Sequence, residues 1–401
     1  MNRRLCVWVV TILAGILVLS GQSFGQALPP VPTAGIPAGA QANAVESASD
    51  ALAIKKFVED QFTFLAGSDP TQQSAARKSL IAQLGRGATQ AYYSTFSQAW
   101  VKAAIANLGK NPPVPVRLNI AIVTATLTDN GMVLDPEQLV VMLVGDREPC
   151  VALWGLKAAR PLIRVILPLP GGLQGHKVVP AIVDAVKKNG TSDVAGFITT
   201  DAYAALVFKP IDFPNMTADQ VKPLVAPLVG PILDILEFRL SQLQNGVPAP
   251  GGKLTGVQSP GAEKDIGTFL STNYPSTTTT NQKRIVQDLV NLLMFIGERA
   301  PLYINTKDDL AQIRDDLRYD ASPLAVIVPS ARSAMSWLLQ PPPACTTDEI
   351  LAHTKQVYSL IQADPAFKWL ADPPAVVPIE PPAPIVTTNP AAGIPAGTPA
   401  R

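Results

Sequence analysis

Apolar residues recur along this chain at the spacing of helical faces. Phe57, Leu65, Tyr92, Phe96, Trp100 and Ile105 mark one such face in the first part of the sequence. Ile285, Leu289, Leu292, Leu293 and Ile296 form a second, opposite Arg284, Asp288, Asn291 and Glu298. Leu310, Ile313 and Leu317 continue it, with Arg314 and Arg318 placed outward. This periodicity, with no sustained polar/apolar alternation, predicts an all-α fold without a sheet. The Val/Ile runs at 163–167 and 326–328 are where a strand competes most strongly with that expectation. Helix starts are marked at Thr217/Gln220 and Thr346/Glu349, where a hydroxyl and a side chain three residues on have the capping-box spacing. Helix stops fall at Gly109, Gly131, Gly190 and Asn245-Gly246.

The pattern is bounded by segments of different composition. Residues 1–25 read as a secretion signal: Arg3 and Arg4, an apolar run from Leu5 to Leu19, then small residues with Ser23 and Gly25 placed as in a cleavage box. The apolar run is shorter than a bilayer span requires, so the mature chain is expected to begin near Gln26. Residues 26–44 and 372–401 are Pro/Ala/Gly-rich, and they hold much of the chain's complement of 39 prolines. Such stretches have too few large apolar side chains to offset ordering entropy, and both are expected to be disordered spacers. They share a phrase, Gly35-Ile36-Pro37-Ala38-Gly39 and Gly393-Ile394-Pro395-Ala396-Gly397. Residues 45–244 are expected as the main helical domain, 245–282 as a Gly/Pro/Thr-rich loop insertion, and 283–371 as the C-terminal part of the same array.

A family resemblance emerges between Leu139 and Ile163. Leu139-Val140-Val141-Met142-Leu143 reads as a first helix, Gly145-Asp146 as a turn, and Cys150 to Ile163, with Ala158 and Ala159, as a second. This looks like a HEAT repeat. Pro115-Val116-Arg117 followed by Leu118-Asn119-Ile120-Ala121 is similar to the start of that family's second helix, and a degenerate copy falls around Val178 to Leu206. Ala152 and Leu153 stand where the family often places an arginine. The resemblance covers about residues 111–206. It implies an α-solenoid of antiparallel helix pairs, which must stack to bury their apolar faces. An irregular, non-repeat helical bundle is the alternative.

Composition then narrows the chemistry. Net charge is +1, and no Lys/Arg cluster with interleaved aromatics points to nucleic acid. The sequence has two histidines, His176 and His353, and neither has a second His or Cys at metal-ligand spacing. Cys345 and His353 can be drawn as a nucleophile pair, but no elbow surrounds Cys345. Cys150 and Cys345 are expected as separate thiols rather than a disulfide. Gly171-Gly172 and Gly251-Gly252 lack the context of phosphate loops. Asp308-Asp309 and Asp315-Asp316, with Arg314 and Arg318, read as a solvated, mutually paired helix face. Asn189 and Asn215 head glycosylation sequons. The stretch from Lys222 to Leu233 holds three prolines and is followed by Asp234, which predicts a buried, kinked helix pair rather than a membrane span.

No catalytic, cofactor-binding or metal-binding residue is assigned from sequence, and no cofactor is expected. The functional expectation is an exported, periplasmic or extracellular, non-catalytic interaction or scaffold module. It would bind a protein partner, with no nucleic acid and no membrane insertion after signal cleavage. The alternative is an exported enzyme or small-ligand binder whose cleft is assembled from distant helices.

Overall fold

The computed structural model describes residues 36, 38–42, 47–83, 88–131, 136–190, 194–245, 247–248, 260–263, 266–303, 307–374 and 378–379. These residues are helical nearly throughout. In chain order the helices are α1 (Ala38–Ala42), α2 (Ala48–Leu65), α3 (Pro70–Ala82), α4 (Gln90–Leu108), α5 (Val114–Asp129), α6 (Glu137–Val144), α7 (Pro149–Ile166) and α8 (Val178–Asn189). They continue with α9 (Ala195–Leu206), α10 (Ala218–Val225), α11 (Val229–Asn245), α12 (Ile266–Asn273), α13 (Thr279–Tyr303), α14 (Lys307–Ile327), α15 (Arg332–Leu339) and α16 (Thr347–Ala363). The strand content among the described residues is one two-residue parallel pairing, Val247–Pro248 with Pro378–Ile379. Both β-branched runs singled out above fall at helix ends, the first in α7 and the second at the close of α14.

Local chemistry accounts for the helix boundaries. The Thr217 and Thr346 hydroxyls accept from the Gln220 and Glu349 amides while those side chains accept from the threonine amides, completing both capping boxes. Ser47, Asp69 and Thr89 cap α2, α3 and α4 in the same manner. Gly109 and Gly190 are the C-caps of α4 and α8. The proline-rich stretch from Lys222 runs α10 into a single 3₁₀ turn, Ala226–Leu228, and on into α11. Prolines 223, 227 and 231 interrupt the backbone ladder without ending the path.

Two expectations need correction. Part of the 245–282 insertion is folded: Ile266, Phe269 and Leu270 make a buried helical stripe on α12. The spacing of those three residues outweighs the flanking polar tract. At the other end, Ile36 and Ala40 of the N-terminal spacer are buried against the first helices.

Side-chain contacts fix the sense of packing. Helices α6 and α7 pack so closely that a Cβ on Gly155 would lie 2.5 Å from the Val144 nitrogen. Glu137 meets His176 at the start of α6 and α8, and Lys188 donates to the Gly145 carbonyl at their ends, so these two run parallel. Lys157 faces Asp201 and Arg160 donates to the Ala204 carbonyl, which makes α7 and α9 parallel as well. Further on, Gly230 approaches Asn281 and Arg284 binds Asp234 and Glu237, so α11 and α13 are parallel. The apolar core has two parts, one spanning Ile36 to Val151 and one spanning Ala125 to Leu370, which meet around Trp154. Among the described residues no helix is long and apolar enough to cross a membrane.

Candidate functional site

The most unusual chemistry lies in the C-terminal part, where charged side chains converge inside the core. Arg239 on α11 donates from Nε to Glu263 Oε1 at 3.1 Å, with the two side chains 0% and 1% exposed. Arg299 near the end of α13 pairs through Nη2 with Asp316 on α14, equally enclosed. Gln312 Nε2 steadies the other Asp316 oxygen at 2.8 Å. Tyr203 on α9 lies against Glu263, Arg239 and Asp288. Asp288 is buried alongside, facing Tyr203. Four helices and the 3₁₀ turn Pro260–Glu263 therefore supply one contiguous ionic cluster.

The Tyr203 phenol is close enough to bond the Glu263 carboxylate, whereas Asp288 Oδ2 and Nε and Nη1 of Arg299 have no hydrogen-bond partner among the described residues. The electrostatics follow from enclosure. Burial pushes the Glu263 carboxyl up, against the pull of Arg239. Burial, and then the adjacent Glu263, pushes the Tyr203 phenol well above its usual value. Burial, and then Glu237, pushes Asp288 up to about 8 despite Arg284. A neutral Asp288 carboxyl is thus the favoured form inside this core at neutral pH. Paired guanidiniums, a neutral acid and orphaned donors and acceptors can hold helices in register or hydrogen-bond a small enclosed polar molecule.

Nothing in the sequence pattern marked these residues as a group. Asp288 was expected on the outward face with Arg284, but it is buried, because α13 is packed by α11, α12, α14 and α16 around most of its circumference. The acidic face on α14 divides in a similar way. Asp315 pairs loosely with Arg318 at 3.8 Å in solvent, whereas Asp316 turns into the core. Arg314 instead donates to the Pro341 carbonyl. Side chains of Asp308 and Asp309 lie outside the described residues.

The remaining sequence candidates are scattered. His176 binds Glu137 Oε2 through Nδ1 at 2.8 Å, and Glu137 also accepts from the Lys177 amide. Burial works to raise Glu137, but the Lys177 amide and His176 together hold it below the usual carboxylate range. That pair closes a loop in which Gly171, Gly172 and Gly175 adopt positive φ of 88°, 51° and 82°. His353 stacks on Trp337 with centroids 4.0 Å apart. Cys345 and Cys150 are not joined in a disulfide, and burial pushes the Cys345 thiol up, away from nucleophile chemistry. Asn189 is buried and bonded within its own helix, while Asn215 is exposed. Among the described residues no three His, Cys, Asp or Glu side chains are grouped to hold a metal ion.

No family model, curated protein or solved structure matches this chain. A distinct surface feature accompanies the buried cluster on the α7/α9 side. Phe197 is 66% exposed on α9, Trp154 is half-buried on α7, and Lys157 sits 4.7 Å above the Trp154 ring. The parallel register of these helices places Phe197 beside the Leu153–Trp154 level.

Proposed function

We propose that this chain is an exported, non-catalytic interaction scaffold built as a HEAT-like stack of helix pairs. The observation that carries the reading is the parallel register of α6 with α8 and of α7 with α9, alongside the close packing of α7 on α6. Helix pairs stacked in that sense leave one edge of every second helix facing solvent. On α7 and α9 that edge holds Leu153, Trp154, Lys157, Phe197 and Asp201, an apolar strip with paired charges at its side. Aromatic side chains beside paired charges are the chemistry of protein recognition rather than of nucleic acid. The secretion-type leader supports an extracytoplasmic location.

The test is a crosslinked pull-down of the mature chain from its native envelope fraction, run beside a Phe197→Asp variant. A near-stoichiometric protein that disappears with the variant supports the scaffold. Recovery of the same protein by both, or of none, removes this edge as the binding face.

A second reading, a small-ligand binder, is supported by the buried atoms of Asp288 and Arg299 that have no partner among the described residues. Its measurement is native mass spectrometry of the purified chain. A mass increment retained by the wild type and lost in Arg299→Met would favour it over the scaffold.

A further inference from the structure

Three of the eight large apolar side chains that stand exposed among the described residues fall in two neighbouring turns: Val165 at 60%, Leu169 at 52% and Ile211 at 84%. The first turn follows α7 and the second follows α9. Arg160 on α7 joins them. Its Nη1 donates to the Val207 carbonyl at 2.8 Å, its Nη2 to Asp212 Oδ1 at 2.9 Å, and its guanidinium lies over the Phe208 ring. Both turns are hydrogen-bonded. The Leu169 amide donates to the Ile166 carbonyl at 3.0 Å, and the Leu169 carbonyl accepts from the Gly172 amide at 2.8 Å. Pro210–Asp212 is a 3₁₀ turn closed by the Phe213 amide on the Pro210 carbonyl, and Asp212 Oδ2 accepts from the Lys209 amide at 2.7 Å. Proline flanks Leu169 on both sides and precedes Ile211, fixing φ at each of those prolines. Aliphatic side chains are thus held in water by backbone that is already ordered, which lowers the entropy lost when something covers them.

Charge indicates what that is. Segments 164–177 and 207–217 carry Arg164, Lys177 and Lys209 against a single acid, Asp212. The three cations are exposed. Both Asp212 oxygens are engaged, by Arg160 and by the Lys209 amide. The Glu137 carboxylate that reaches the first turn is likewise held, by His176 and the Lys177 amide.

We propose that these two turns are a peripheral membrane contact: Leu169 and Ile211 enter the interfacial layer of an anionic bilayer while Arg164, Lys177 and Lys209 bind its phosphate headgroups. Interfacial contacts combine apolar area with attraction to anionic lipid in this way. A protein partner fits these turns less well. Protein interfaces favour Trp, Tyr and Arg and are depleted in Lys, which describes the Trp154/Phe197 edge better than this end of the same two helices. The contact needs no helix to cross the bilayer. It goes beyond the scaffold and ligand readings and survives the failure of either.

Vesicle co-sedimentation of the full mature chain tests it, with vesicles of equal parts phosphatidylglycerol and phosphatidylcholine beside vesicles of phosphatidylcholine alone. The chain is expected to pellet with the anionic vesicles at low ionic strength. Leu169→Asp/Ile211→Asp should lower the partition coefficient by about tenfold or more, through lost apolar contact. Arg164→Gln/Lys209→Gln should lower it by about fivefold per cation. Leu169→Ser/Ile211→Ser, a milder pair, is run in parallel, and circular dichroism confirms that each variant keeps its helices. Phe197→Asp should pellet as the wild type does, which separates this contact from the protein-binding edge. No pelleting of the wild type, equal pelleting with neutral vesicles, or unchanged pelleting of the Asp and Ser pairs would each overturn the proposal. A dimer in light scattering that Leu169→Asp/Ile211→Asp dissolves would also overturn it, assigning the turns to a second copy of the chain.

Discussion

Gln287 and Ala371 exchange two hydrogen bonds across 84 positions of sequence, the side-chain amide donating to the Ala371 carbonyl at 3.1 Å and accepting its amide at 2.9 Å. A glutamine used this way imitates a strand neighbour and fixes the last helical turn region onto α13. Nearby, Lys283 sits over the Trp369 ring and the Tyr358 hydroxyl donates to Asp372. Gln287→Ala is expected to cost about 1–2 kcal/mol, since each net hydrogen bond contributes about 0.5–1.5 kcal/mol. Hydrogen exchange reads it directly. Protection at the Ala371 amide should fall while the amides of α13 keep theirs; unchanged exchange at Ala371 would show that the pair holds nothing.

The buried Asp288 makes stability depend on pH in an uncommon direction. An unfolded aspartate ionises at about 3.9, whereas the folded one keeps its proton up to about 8. Between those values the native state holds the extra proton, so stability declines as pH rises, by up to about 1.4 kcal/mol per pH unit. Asp288→Asn supplies a neutral isostere. Urea titrations should show a flatter decline for the variant from pH about 5 to about 8, and a higher midpoint at the upper end. A variant that keeps the wild-type slope would assign the proton to another group.

Arg239 and Glu263 are enclosed together, so removing one strands the other. Arg239→Met is expected to destabilise by about 3–5 kcal/mol, because it leaves a carboxylate in the core without its cation. Arg239→Met/Glu263→Leu removes both charges and should recover most of that loss. A double-mutant cycle checks it, and simple additivity of the two single effects would contradict the pairing.

Gly155 lies where α7 presses on α6. An added Cβ would meet the Val144 nitrogen at 2.5 Å and the Leu143 carbonyl carbon at 2.6 Å. Backbone atoms cannot turn aside as a side chain can. Gly155→Ala is expected to destabilise by about 1–3 kcal/mol or more through overpacking. Gly109→Ala is the control: its nearest contact would be 3.4 Å, and denaturation midpoints should separate the two variants clearly.

Short-range signals were the readable ones. Thr217/Gln220 and Thr346/Glu349 reveal their capping boxes because both partners lie three residues apart and need nothing from the rest of the fold. The stripe Ile285–Ile296 predicts α13 for the same reason. Asp288 and Asp316 were misplaced by that logic. A charged residue opposite one apolar stripe reads as outward, but a helix packed on several sides has no outward face at that level. The burial of Ile36 was not legible because a lone isoleucine among Pro, Ala and Gly carries no period.

The sequence by itself determines the helices, their caps and the all-α class, since backbone hydrogen bonding and helical periodicity act within a few residues. Tertiary structure alone decides which helices run parallel, and that Arg239, Glu263, Arg299 and Asp316 share one enclosure. It also decides that Gly155 must lack a side chain. Those facts join residues tens of positions apart, and their energies come from exclusion of water and close contact, which exist only once the chain has packed.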